Sequence, residues 1–419
     1  MHILFIVPYV PNNIRPRSLN LIKTLSATGH NVTVLTLAGN RSEWDDAEKL
    51  REYASRVIVH GLGRGWSLMN SASALVAGAP LQSGYCWQPS LGAALRALLA
   101  GEKYDVVHVE HLRGARYGLL AKRKLSEAEV STPVVWDSVD CISYLFRQAA
   151  TLSVGRLSRL VARLELPLTE RFESRMISVF DRVLVTTPVD REKLAKLTPV
   201  PNQSLRKIDV LSLGVDLNQF RPSPALERDP ATLILTGKMS YHANVTMGVH
   251  LVRDIMPMIW ARRPDTRLLI VGKDPTREIL ALGTDPRVTV TGAVPDLQPY
   301  LAKATIAVVP IVYSAGIQSK VMEAMACATP VVTTDQVAAG LNANTGEHLL
   351  VCHSADEFAD TISRLLNSPE ICRKIGLSGR EYVGANHSWI AITERLVNLY
   401  QKAQEDPAPW LQFSTSISH

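Results

Sequence analysis

The sequence predicts an α/β protein built from two doubly wound, parallel-sheet units in tandem. Three observations carry that prediction. Short apolar segments rich in β-branched residues alternate with helix-like segments along nearly the whole chain. The alternation pauses once, in a stretch punctuated by Gly, Asp and Pro, and then restarts. At 419 residues the chain is also too long for one ordinary core. Strands covered on both faces read as continuous apolar runs, as these do.

Taken in order, "HILFIVPYV" is a first core strand and "PNNIRPRS" the loop after it. "LNLIKTLSATGH" has apolar residues at helical spacing and stops at Gly29, a common C-terminal helix signal. "NVTVLTL" completes a β-loop-α-β unit, and "RVIVHGL", "DVVHVEH", "PVVWDSV" and "RVLVTTP" repeat the strand signal with helical segments between. The pause is "IDVLSLGVDLNQFRPSP", 208–224, a connector between units. The second series runs "ATLILTG", a helix over "NVTMGVHLVRDIMPMIWARRP", then "RLLIVGKD", "VTVTGAV", "ATIAVVPIV" and "PVVTT". Two Rossmann-like units follow, over 1–217 and 218–385, with a helix at 386–405 expected to cross back to the first and a tail at 406–419. Ligands of such sheets bind beyond the carboxyl ends of the strands, so a cleft between two facing units is the expected site.

Composition excludes several classes. With 46% hydrophobic and 20% charged residues, the chain is of the globular type. It holds no uninterrupted apolar run of about 18 residues, the length a membrane span needs. The opening run lacks a basic stretch before it and a small-residue cleavage site after it, so it reads as a strand, not a leader. Five cysteines at no metal-ligand spacing suit a reducing compartment, and no metal, zinc or disulfide framework is expected. The expected location is cytoplasmic, with a peripheral position at the inner membrane face as a variant. Residues 1–217 hold 27 Lys and Arg against 20 Asp and Glu, or +7, and the remainder −1, within the net +6. Such a field favours an anionic partner or a membrane surface; a solvated basic face explains it equally. No nucleic-acid partner is expected.

The most informative stretch is "GIQSKVMEAMACATPVV", 316–332. Lys320 and Glu323 are three apart and so share a helix face, while Ala324, Ala326 and Ala328 allow close packing of the rest. Together with "GVDLNQFRP" at the connector, "LLIVG" and "VTVTGAVPD", in this order, it resembles the GT-B glycosyltransferases. More closely it resembles glycosyltransferase family 4, a retaining group that uses nucleotide sugars. The resemblance covers most of the chain and is stronger in the second half. It implies that Glu323 accepts hydrogen bonds from the ribose hydroxyls of the donor nucleotide, a task suited to a carboxylate. It implies that Lys320 stands near the diphosphate as a point charge. The helix start at Gly316, Ile317, Gln318 and Ser319 would add backbone donors and a positive dipole end. Gly237 and Lys238, in "TGKMSYHAN", lie where relatives contact the diphosphate, and backbone groups around Gly292 and Val294 would read the base. A surface Lys–Glu pair is the plain alternative for 320 and 323.

Two departures stand out. The family's E-x7-E signature has its first glutamate at a position occupied here by Ala315. A branch with Gly or Ala there, followed by G-x-x-x-K, accommodates "AGIQSK"; loss of sugar binding is the other reading. The Arg-plus-Lys diphosphate clamp also lacks its usual spacing, so Arg15 or Arg17 would assist Lys320, with surface solvation as their alternative. No cofactor is expected beyond the nucleoside-diphosphate sugar itself.

For the acceptor side, Asp137 and Asp140 at the end of "PVVWDSVD" are the candidate catalytic carboxylates, although Asp equally caps a following helix. His108, Glu110 and His111 end the preceding strand. In "GRLSRLVARLELPL", Leu157, Leu160, Val161, Leu164 and Leu168 share one face and Arg156, Arg159 and Arg163 another. That helix either rests on anionic lipid, which would suit a lipid-linked acceptor, or covers the protein's own core. The alternatives to sugar transfer are a nucleotide-sugar epimerase of the same fold and a degenerate, non-catalytic transferase-like subunit.

Overall fold

The computed structural model describes residues 1–12, 15–152, 156–223, 227–312 and 317–406. They divide into two compact units, Met1–Leu211 with the chain from Ile392 onwards, and Ser212–Ala391.

The first unit is built on a seven-stranded sheet. Its strands are β1 (His2–Val7), β2 (Asn31–Ala38), β3 (Arg56–Gly61), β4 (Val106–Glu110), β5 (Val134–Val139), β6 (Arg182–Val185) and β7 (Ile208–Val210), in the order β3-β2-β1-β4-β5-β6-β7. Every pairing is parallel, with Ile3 opposite both Val32 and Val106. Ile3 to Val7 are wholly buried, which accounts for the unbroken apolar run. Chain order reverses between β1 and β4, the switch point at which such sheets bind ligands. From Ile392 the chain belongs to this unit, where Tyr400 bonds His108 at 2.9 Å and Gln404 donates to Asp105 O at 3.0 Å.

The second unit has six strands: β8 (Thr232–Thr236), β9 (Arg267–Val271), β10 (Val288–Gly292), β11 (Ile306–Val309), β12 (Val331–Thr333) and β13 (Leu350–Val351). Their order is β10-β9-β8-β11-β12-β13, all parallel, with the switch between β8 and β11. The unit starts at Ser212, so it takes in much of the connector. Ser212 Oγ lies 2.9 Å from His387 Nδ1, and Val215 N donates to His387 O at 2.7 Å.

Three features depart from the sequence reading. Ile208–Val210, taken there as connector, is the edge strand β7; three residues are too few to show an alternation. The helix expected over "NVTMGVHLVRDIMPMIWARRP" is broken by a π-helical turn, Leu251–Ile255, between His242–His250 and Met256–Arg262. Pro257 cannot donate to an i−4 carbonyl, and the wider turn accommodates its ring. The third is the helix Arg156–Val179. It buries Ala162, Glu165, Thr169 and Glu173, leaves Leu168 half-buried and turns Leu160, Val161 and Leu164 outward, so those three do not cover the core. The inward carboxylates explain the rotation. Glu165 accepts from Leu81 N at 3.1 Å, and Glu173 from Ile142 N at 2.8 Å and Ser143 N at 3.2 Å. Each satisfies the orphan N–H groups at the start of another helix, Leu81–Tyr85 or Ile142–Leu152. The side chains of Arg156, Leu157 and Arg159 lie outside the described residues, as does the tail from 407.

Candidate functional site

In the second unit, three glycines stand at the carboxyl ends of β8, β9 and β10, on one side of the switch point. Gly237 follows β8, Gly272 follows β9 and Gly292 ends β10. Gly237 N donates to Val271 O and Gly272 N to Gly292 O, both at 3.1 Å. A Cβ on Gly272 would stand 1.7 Å from Gly237 O, and one on Gly237 would stand 2.8 Å from Asn244 Nδ2 and 3.3 Å from Lys320 Cε. Only glycine permits this approach, which leaves a floor of bare backbone under the Lys320 side chain. Lys238, next along, is exposed and 3.8 Å from Asp274; Val294 is half-buried.

The helix Ser319–Ala326 follows β11 beside that floor. Val321, Met322, Ala324, Met325 and Ala326 are buried on its inner side, as the small-residue pattern predicts. Lys320 and Glu323 are half-buried on the other, and Ser319 is exposed. Lys320 Nζ donates to Gln318 Oε1 at 2.8 Å. Burial pulls the Lys320 ammonium down to about 8, against the pull of Glu323. Burial pushes the Glu323 carboxyl up to about 6, opposed by Lys320 and by a hydrogen bond with Ser319. The pair is thus a partly desolvated cation and anion, not a solvated surface pair. Ile317 packs against the core, while Ala315 and Gly316 lie outside the described residues.

Two arginines overlooked in the sequence brace this helix from its far end. Arg228 donates to Cys327 O at 2.9 Å, Ala328 O at 2.8 Å, Ala304 O at 2.6 Å and Thr329 Oγ1 at 3.0 Å. Arg380 donates to Ala326 O and, at 3.3 Å, to Phe220 O. Both satisfy carbonyls at the C-terminal end and complement the dipole there. Neither sits in a recognisable motif, so only the fold reveals them.

At the first unit's switch point lies a buried polar cluster. Arg17 is not in a loop, as expected, but in the first turn of the helix Pro16–Ala27. Its Nη2 and Nε reach Asp137 Oδ2 at 2.8 and 3.2 Å, and Nη2 also reaches Leu211 O at 3.1 Å. Asp137 has no exposed surface. Burial opposes the Arg17 charge, and Asp137 with Glu110 and Asp140 together more than offset it, so the guanidinium is held above its usual range. His108 Nε2 stands 3.8 Å from Asp137, and burial pulls this imidazole down to about 4, leaving it neutral at pH 7. Tyr9 donates to Glu110 at 2.7 Å, and burial raises both groups. Val139, two residues after Asp137 across a register shift, has φ +70°, and His111 has φ +64°. A β-branched residue in that region is strained, and such strain collects at functional sites. Arg15 is turned to Glu43 at 3.0 Å and lies over the Tyr9 ring. Asp140 accepts from Thr186 at 3.2 Å; burial, with Asp190 nearby, pushes it up to about 6. The structure therefore joins Arg17 to Asp137 but leaves Arg15 and Asp140 with separate partners. Among the described residues, no group of three or more His, Cys, Asp or Glu could hold a metal ion.

Two family models match this chain. "Glycosyl transferase 4-like domain" matches residues 14–213, and "Glycosyl transferases group 1" matches 230–368, in that order. The chain belongs to the family-4-like GT-B glycosyltransferases. Among curated relatives of this glycosyltransferase is the D-inositol 3-phosphate glycosyltransferase of Mycolicibacterium smegmatis. It is 27% identical over 72% of this chain and 68% of its own. The MMP alpha-(1->4)-mannosyltransferase of Mycolicibacterium hassiacum is 29% identical over 48% and 49%. Solved glycosyltransferase structures share the fold. Sucrose-phosphate synthase of Thermosynechococcus elongatus superposes with a TM-score of 0.65 at 19% identity, over 96% of this chain and 98% of that one. Anabaena HepE in complex with UDP superposes with a TM-score of 0.65 at 14% identity, over 96% and 100%.

Proposed function

We propose that this glycosyltransferase moves a sugar from a nucleoside-diphosphate sugar to an acceptor hydroxyl, with retention at the anomeric carbon and without a metal. The observation that carries this reading is the pairing of half-buried Lys320 and Glu323 on one helix beside the glycine floor of the second sheet. Bare backbone admits a diphosphate, the ammonium and helix start answer its charge, and the carboxylate accepts from ribose hydroxyls. HepE, of the same fold, was solved with UDP and with UDP-glucose, which supports a uridine donor as the first to test. Breaking the anomeric C–O bond places charge on the leaving diphosphate, and Lys320 with the helix N-terminus stabilises it there. The leaving phosphate oxygen then takes the acceptor's proton as the hydroxyl attacks from the same face. Both matching families are glycosyl-transferring, which supports transfer over epimerisation. With Lys320 and Glu323 both in place, the donor site retains the side chains a degenerate subunit would have lost.

The test is release of free nucleoside diphosphate from a panel of nucleotide sugars, with and without EDTA, for the wild type and Glu323→Ala. One donor should be turned over, EDTA should change little, and the variant should lose about a hundredfold in kcat/KM. The anomeric configuration of the product, read by NMR, should match the donor. Full activity in the variant, complete loss with EDTA, or an inverted product would contradict the corresponding part of the proposal.

A further inference from the structure

We propose that the first unit docks on an anionic bilayer through the outward faces of two helices, Arg64–Val76 and Arg156–Val179. Both helices present their apolar residues the wrong way round for a self-contained domain. The Arg64–Val76 helix buries Ser67 and Ala74 but exposes Trp66, Leu68, Met69, Leu75 and Val76, with Leu68 at 70% and Val76 at 91%. The Arg156–Val179 helix buries Glu165 and Glu173 and exposes Leu160, Val161 and Leu164, the last at 63%. The two are linked. The helix Leu81–Tyr85 packs against the first so closely that a Cβ on Gly84 would stand 2.4 Å from Asn70 O, and Leu81 N bonds Glu165 on the second. An outward apolar face of this size on a globular unit marks a surface that meets another apolar phase.

Charge complementarity selects the occupant. Between Glu52 and Glu102 the chain has no acidic residue, so none stands on the Arg64–Val76 helix, and Arg96 in the same stretch is exposed. On the second helix Glu165 and Glu173 are turned inward and Glu170 is held by Arg147, so the outward carboxylates are neutralised or absent. Arg163 is exposed beside Leu164. Further along the helix Arg171 and Arg175 join Lys196 and Lys207 around a surface groove of about 950 Å³. Apolar side chains beside cations, with the carboxylate among them, Glu170, already paired to Arg147, match the acyl boundary and headgroups of an anionic lipid layer. No helix among the described residues is long and apolar enough to cross a membrane, so the contact is interfacial. This inference extends the proposed function without depending on it.

The test is co-sedimentation of the full chain with vesicles of phosphatidylcholine alone, or with about one third phosphatidylglycerol. Two double variants accompany the wild type, Leu68→Ser with Val76→Ser and Arg171→Glu with Arg175→Glu. All four positions are exposed, so the fold should survive, as circular dichroism would verify. The wild type should bind anionic vesicles at least tenfold more strongly than neutral ones, and each double variant should lose at least tenfold. Wild-type protein left in the supernatant with both vesicle types would overturn the proposal, as would variants that sediment like wild type. A concentration-dependent dimer in ultracentrifugation, broken by the leucine–valine variant and without vesicle binding, would instead give the face to a second copy. None of these readouts involves sugar transfer, so failure here leaves the donor-site reading standing.

Discussion

Lys320 and Glu323 carry the account because their half-burial makes their charges both costly and useful. A Lys320 ammonium pulled down to about 8 by burial has a direct consequence for binding. Diphosphate affinity should hold up to that pH and then fall, by up to about tenfold per unit, as the neutral amine takes over. The Glu323 carboxyl, raised to about 6, sets the other limit: below it the acid replaces the carboxylate that accepts from ribose. Titrations from pH 5 to pH 10 should show an optimum between these values. Lys320→Met should flatten the alkaline limb and Glu323→Gln the acid one; unchanged limbs in either variant would refute that assignment. Arg17 calls for the opposite test. Its guanidinium is committed to a fully buried carboxylate, so Arg17→Met should cost about 3–5 kcal/mol in urea unfolding. A loss under about 1 kcal/mol would mean that the pair is not the structural tie it is taken to be.

At the scale of elements, most strands were legible because a parallel sheet demands uninterrupted apolar runs, and those runs are in the sequence. The helix Ser319–Ala326 was legible too, through the spacing of Lys320, Glu323 and the alanines. What escaped was set by contacts distant along the chain. β7 is only Ile208–Val210, recognisable only beside β6. The inward turn of Glu165 and Glu173 depends on two other helices offering N-termini, so the leucine face could not be assigned from periodicity alone. Nor do Arg228 and Arg380 announce that they hold the far end of the 319–326 helix. Arg228→Met should therefore destabilise the second unit by about 3 kcal/mol, since four hydrogen bonds from one cation are lost together. Urea denaturation checks this, and a change below about 0.5 kcal/mol would contradict it. Gly272→Ala should be as damaging to the floor, because the added methyl would overlap Gly237 O.

On the scale of the whole molecule, the two switch points differ in exposure. In the first unit the cluster of Arg17, Asp137, His108 and Tyr400 ties β4, β5 and the chain after Ile392 together, with its charges sealed from solvent. In the second unit Lys320 and Glu323 are half-buried beside bare backbone, as the proposed donor site requires. Net charge is also uneven, +7 over the first 217 residues and −1 over the remainder. The measurement that bears most directly on the central claim is calorimetric titration of the protein with UDP, GDP, ADP and dTDP, beside Glu323→Ala. The account predicts that one diphosphate binds in the micromolar range and that the variant loses that binding. A folded protein that binds none of the four, or a variant that binds as tightly as the wild type, would contradict it.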